Sequence, residues 1–163
     1  MALVKGDDKE MKKMIKLFIG SLMLVTILWG CSRNPAERHN SESSEFLDCP
    51  DTPNCVSSLA KNPKYRVEPF RLKKDPKTSW DIVQKIVASL PRTKIVLADN
   101  NDIHAECRSL IFRFVDDLTL HLTPSNGLID IHSASRIGYS DLGVNRRRVE
   151  NIRKILRQNG VIE

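Results

Sequence analysis

Two alternating segments on either side of Asn126-Gly127 constrain this chain more than any other feature. Asn-Gly flanked by alternating apolar residues is a strong hairpin signal, because both residues accept the positive φ a tight turn needs. Leu118, Leu120 and Leu122 precede it, and Ile129 and Ile131 follow it. A strand's side chains alternate between faces, so these five share one face. Thr119, His121, Thr123, Asp130 and His132 are left on the other. If Asn126-Gly127 is the whole loop, Leu122 meets Ile131 and His121 meets His132. Centring the loop on Ser125-Asn126 keeps the same faces but separates the two histidines. Both registers stay open.

Other elements join this hairpin. Residues 82, 83, 86, 87 and 90 form an apolar helical face, with Ser79 as N-cap and Pro91 as terminator. A short strand follows over residues 94–99, and Asn100-Asn101-Asp102 turns the chain. Ile103, Ala105 and Cys107 then alternate with His104, Glu106 and Arg108. Residues 110–115 continue as strand, and Asp116-Asp117 turns into the hairpin. The last helix spans about residues 141–158. Val149, Ile152, Ile155 and Leu156 are its stripe, Ser140 or Asp141 caps it, and Asn159-Gly160 closes it. The sum is a two-layer α+β domain, an antiparallel sheet of about four strands with two main helices on one face.

The first thirty residues read as an address. Lys12, Lys13 and Lys16 precede fourteen uncharged residues, 17–30. That run is too short to span a bilayer, which takes about 20 residues, but it suits a signal-peptide core. It closes on Leu28-Trp29-Gly30-Cys31 and resembles a bacterial lipobox. The resemblance implies a lipid on the Cys31 sulfur, cleavage after Gly30, and acylation of the new amino terminus by a fatty acid such as palmitate. Asp7, Asp8 and Glu10 do not suit a positive n-region, so translation starting at Met11 or Met14 is an alternative to Met1. Residues 31–45 are almost wholly polar and form a flexible tether. Residues 46–163 are the single domain.

That domain opens on Cys49-Pro50-Asp51-Thr52-Pro53-Asn54-Cys55, a turn-rich loop whose ends can meet. In an oxidising envelope a Cys49–Cys55 disulfide is the expected state, and the spacing suits neither a CxxC redox pair nor a zinc knuckle. Cys107 reads as a small buried hydrophobe. It lies on the opposite strand face from His104, so the two cannot share a metal.

The segment from Ser133 to Arg148 places serines, glycines and arginines between the last strand and the last helix. Together with Cys49-Pro50…Pro53-Asn54-Cys55-Val56-Ser57-Ser58 and Phe112-Arg113-Phe114-Val115-Asp116-Asp117, it resembles the family called domain of unknown function 1499, over roughly residues 47–158. The resemblance implies fold and an envelope location and supplies no catalytic residues.

Function is read mainly by exclusion. There is no nucleotide loop, zinc-finger spacing or nucleophile elbow. The formal charge is +6. The leader takes five of the 26 basic and three of the 20 acidic residues, which leaves an excess of four. So mild an excess does not indicate nucleic-acid binding. A helix N-terminus with Arg136, Arg146, Ser133, Ser135, Ser140 and Asn145 around it would suit a small phosphate or carboxylate. Against that, Asp141 offers Arg136 an internal partner, and this pairing is the first expectation. His121 with His132, beside Asp130, is the one reasonable metal or acid–base cluster. The expected function is an envelope lipoprotein, lipid-anchored to a membrane facing the periplasm and favouring the outer membrane through Ser32. It serves as a non-enzymatic binding or accessory module for a partner or small anionic ligand through the 133–148 corner. No metal or cofactor is expected. An enzyme using the same corner with His121 and His132 is the alternative.

Overall fold

A computed structural model describes residues 48–163; Cys31, the leader and the tether through residue 47 lie outside them. Six strands form one antiparallel sheet: β1 (Cys55–Ser57), β2 (Phe70–Arg71), β3 (Thr93–Ala98), β4 (Asp102–Arg108), β5 (Val115–Thr123) and β6 (Leu128–Ser135). Two helices, α1 (Pro76–Ser89) and α2 (Val144–Gln158), complete it. The strand order is β1-β6-β5-β4-β3, and β2 shares the outer edge of β6 with β1. The α+β class is as expected, but the sheet is larger than four strands. The two additions hold three and two residues, too few to show a period.

Both helices lie on one face, α1 over β3 and α2 over β6 and β1. Ile103, Leu118, Leu120, Ile129 and Ile131 are fully buried beneath them, against Val83 and Val87 of α1 and Val149, Ile152 and Leu156 of α2. Helix α1 begins one turn earlier than the apolar face suggests. Asp75 accepts from the Thr78 amide at 2.9 Å and Pro76 takes the first helical position, so Ser79 is a buried interior residue. In α2 the N-cap position is Gly143, with φ 78° and no side chain to offer. Asp141 does the capping from two residues upstream, accepting from the Gly143 and Asn145 amides at 2.7 Å each.

Two further expectations change. The hairpin pairs Leu122 with Ile129, Leu120 with Ile131 and Thr119 with His132. This is the register centred on Ser125-Asn126, so His121 faces Asp130 rather than His132. Residues 110–114 are not strand: Ser109 and Phe114 close a loop through amide-to-carbonyl and amide-to-hydroxyl bonds of 2.9 Å, and its side chains stay exposed. Asp116 and Asp117 are strand residues of β5, not a turn. Neighbours on a strand point to opposite faces, and each of these acids meets its own arginine there.

Candidate functional site

On the helix side, the 133–148 corner closes over Asp116. Arg148 reaches it with Nη2 donating to Oδ2 at 2.5 Å, while Nη1 donates to Ser133 Oγ at 2.8 Å and to Asn145 Oδ1. Ser133 also donates to Asn145 Oδ1 at 2.7 Å, and Asn145 Nδ2 donates to the Asn54 carbonyl at 3.0 Å and to Ser135 Oγ at 3.1 Å. Ser133 and Asn145 are fully buried. Buried polar groups are costly unless every one is satisfied, and here strand, helix and entry loop satisfy one another. Arg146 donates to the carbonyls of Arg66 and Lys64 at 3.1 and 2.8 Å, and Ser140 Oγ accepts from the Leu142 amide at 3.3 Å.

Arg136 leaves this group. The expected Arg136–Asp141 pair does not form, because Asp141 spends both oxygens on the amides at the start of α2. Arg136 instead lies on the helix-free face. Its Nε donates to Asp117 Oδ2 at 2.9 Å, and its Nη2 donates to Asp117 Oδ1 and Glu106 Oε1 at 2.8 Å each. His104 Nε2 donates to Asp117 Oδ1 at 2.8 Å. Burial works to raise the Asp117 carboxyl, but the bonds from His104 and Arg136 outweigh it and hold the group well below the usual carboxylate range. The Arg136 hydrogen bond likewise lowers Glu106, and the bond to Asp117 raises Arg136 still further.

The rest of that face is a polar grid set by strand register. Asp102, His121 and Asp130 form one row, and His104, Thr119, His132 and Ser57 form the next. His121 Nδ1 donates to Asp102 Oδ1 at 2.7 Å, and both side chains are 28% exposed. Asp130 accepts from Ser58 Oγ at 2.8 Å. His132 Nε2 lies 3.3 Å from Cys55 Sγ, and burial pushes the imidazole below its ordinary value. His121 and His132 are therefore not opposite one another, and each has a partner of its own.

Cys49 and Cys55 form the expected disulfide. With His132 they offer three ligand atoms within 4.8 Å of one another. Sulfurs joined to each other are not the thiolates that a metal takes. Cys107 is a free, buried cysteine on the core side, and burial raises its thiol. Replacing Cys55 by serine should lower stability by roughly 2 kcal/mol, the chain-entropy value for so short a loop. Non-reducing peptide mapping should find Cys49 joined to Cys55, and a bridge to Cys107 would contradict the core-side placement of Cys107 on β4.

A family model described as protein of unknown function (DUF1499) matches residues 45–156, most of the chain. The chain belongs to the DUF1499 family. No curated protein and no solved structure matches it.

Within this DUF1499 domain, the three sequence motifs come together in space. Asn54 of the first motif meets Asn145 and Gly138 of the third, and Asp116 and Asp117 of the second meet Arg148 and Arg136. Sequence reasoning does not assign Arg148, Asp116, Asp117, Glu106 or His104 to a site. The available signal is two adjacent acids followed by six arginines, without any indication of which charge meets which.

Proposed function

We propose that the chain is a lipid-anchored lipoprotein of the bacterial envelope, and that its DUF1499 domain is a non-enzymatic binding or accessory module facing the periplasm. A protein partner fits the domain better than a small anionic ligand. The observation that carries this choice is Arg136, whose guanidinium is held by two carboxylates and has no charge left for an incoming anion. Asp141, Asn145, Ser133 and Arg146 are likewise engaged within the domain, so the corner serves as scaffold. The helix-free face, with His104 and His121 each 28% exposed beside an aspartate, is the recognition surface.

Anchoring at Cys31 is tested directly. Cys31→Ala should leave unprocessed precursor and abolish labelling by a fatty-acid analogue, and unchanged migration and labelling would contradict the anchor. For the recognition surface, a photo-crosslinking residue at His121 should give a discrete adduct in intact cells. The same residue at Lys154, on the exposed side of α2, should give none. Equal patterns from both positions would reject the face.

The His121–Asp102 pair supports one alternative, an enzyme of unknown reaction with His121 as a base oriented by Asp102. Turnover lost in both His121→Gln and Asp102→Asn would favour it.

A further inference from the structure

We propose that one end of the sheet is a membrane-docking rim that takes an anionic phospholipid surface. Cys107, Asp116 and Ser135 lie in register across β4, β5 and β6. The loops over residues 109–114 and 136–143 therefore leave the sheet side by side, joined where the Arg136 amide donates to the Val115 carbonyl at 3.1 Å.

Exposed apolar side chains gather in these two loops. Leu110, Ile111 and Phe112 are 71%, 78% and 73% exposed, and the Phe112 and Phe114 rings stack with centroids 5.5 Å apart. Ile137, Tyr139 and Leu142 stand out from the second loop, Leu142 at 83%. Val144, at the start of α2, adjoins the second loop, and the other large exposed apolar residues among those described, Leu59, Ile82 and Val96, are scattered away from this end. Single exposed apolar residues need no explanation, whereas a contiguous patch marks a contact surface. Arg113 and Leu142 both take a left-handed backbone, at φ 55° and 53°. That conformation is unfavourable for residues with a Cβ, yet it is kept at both loops.

Charge identifies the occupant. The 109–114 loop contains no acid, and Arg113 makes no ion pair or side-chain hydrogen bond among the described residues. Arg92 and Arg108 flank the loop, Arg92 Nε donating to the Arg108 carbonyl at 3.2 Å and Arg108 pairing with Glu106 at 3.3 Å, so Arg113 is the cation that carries the argument. Apolar side chains at the tip with arginines around them match acyl chains beneath a layer of phosphates.

The route of the chain points the same way. The described residues begin at Asp48, and the entry loop is tied to the rim. Asn54 Nδ2 donates to the Gly138 carbonyl at 2.7 Å, and the Asp141 amide donates to the Pro53 carbonyl at 3.3 Å. Asp48 itself accepts from the Lys61 amide at 3.1 Å, so the entry segment reaches the rim through Pro53 and Asn54. The rim rests on the lipid-anchored reading of Cys31: a lipid there keeps Asp48 within about 55 Å of the bilayer, the extended reach of residues 32–47, which lets the rim touch the surface.

The test uses the full lipidated chain on vesicles of phosphatidylglycerol and phosphatidylethanolamine with brominated acyl chains. F112W should lose at least half of its added emission to the bromine atoms. S125W, in the hairpin loop at the opposite end of the sheet, should lose none. Replacing phosphatidylglycerol by phosphatidylcholine, or adding R113E to F112W, should weaken quenching at least threefold. A chain that floats with the vesicles while neither position is quenched, or both equally, overturns the rim and leaves the anchor standing. Absent labelling at Cys31 with F112W still quenched overturns the anchor alone. Quenching equal in phosphatidylcholine and phosphatidylglycerol overturns the assignment to anionic lipid. A lipid-free dimer that I111D abolishes, with no quenching on vesicles, assigns the rim to a second copy and overturns the proposal.

Discussion

Arg148→Met should destabilise the domain by about 3–5 kcal/mol, the range for breaking a buried ion pair from one side. The Arg148 and Asp116 side chains are 14% and 6% exposed, so water cannot take over the lost contact. The substitution leaves a buried carboxylate with no cation and removes a donor from Ser133 and Asn145, both fully buried. Lysine should rescue little, because a single ammonium cannot reproduce the fork that spans Asp116, Ser133 and Asn145. Asp116→Leu combined with Arg148→Met should recover part of the loss by removing the orphaned charge, with Ser133 and Asn145 still short of a donor. Urea unfolding of wild type and the three variants measures this. A loss under 1 kcal/mol in Arg148→Met would show that this network does not hold the corner together.

The same residues show what the sequence can and cannot reveal. Alternation around Asn126-Gly127 assigns the faces of β5 and β6 correctly, because parity depends only on neighbours along the chain. It cannot choose the register, since a shift of two residues leaves the apolar pattern unchanged and alters only who faces His121. The Cys49–Cys55 pair is legible because its loop is local. Asp116-Asp117 reads as a turn because two adjacent acids look unsuited to a strand. What makes them tolerable there are Arg148 and Arg136, brought from 32 and 19 residues away on opposite faces. The exposed 110–114 loop misleads for the complementary reason. An apolar run looks like a buried strand unless something else shows that the sheet has already turned. Asp141 is recognisable as a cap, and that role consumes the carboxylate that Arg136 is expected to hold.

Arg136 offers the second large effect, about 2–3 kcal/mol for Arg136→Ala. Three charge-assisted hydrogen bonds to two carboxylates are lost at once, at about 1.5–3 kcal/mol each when sheltered. The side chain is 42% exposed, so solvent screening reduces that total. A double-mutant cycle identifies the partner. Arg136→Ala with Asp117→Ala should couple by at least 1 kcal/mol, whereas Arg136→Ala with Asp141→Ala should be additive, Asp141→Ala costing about 1 kcal/mol through its cap. Acid titration supplies an independent reading. The folded Asp117 carboxyl is held below its unfolded value, so its contribution is complete above that unfolded value, about 3.9. It is lost as pH falls through the folded value. Wild type should therefore lose its advantage over Asp117→Asn below about pH 4. In an Arg136→Ala background the gap should already be smaller at pH 7, since half of what held the carboxylate has gone. An unchanged gap there, or strong coupling to Asp141, would place Arg136 at the helix cap instead of on the helix-free face.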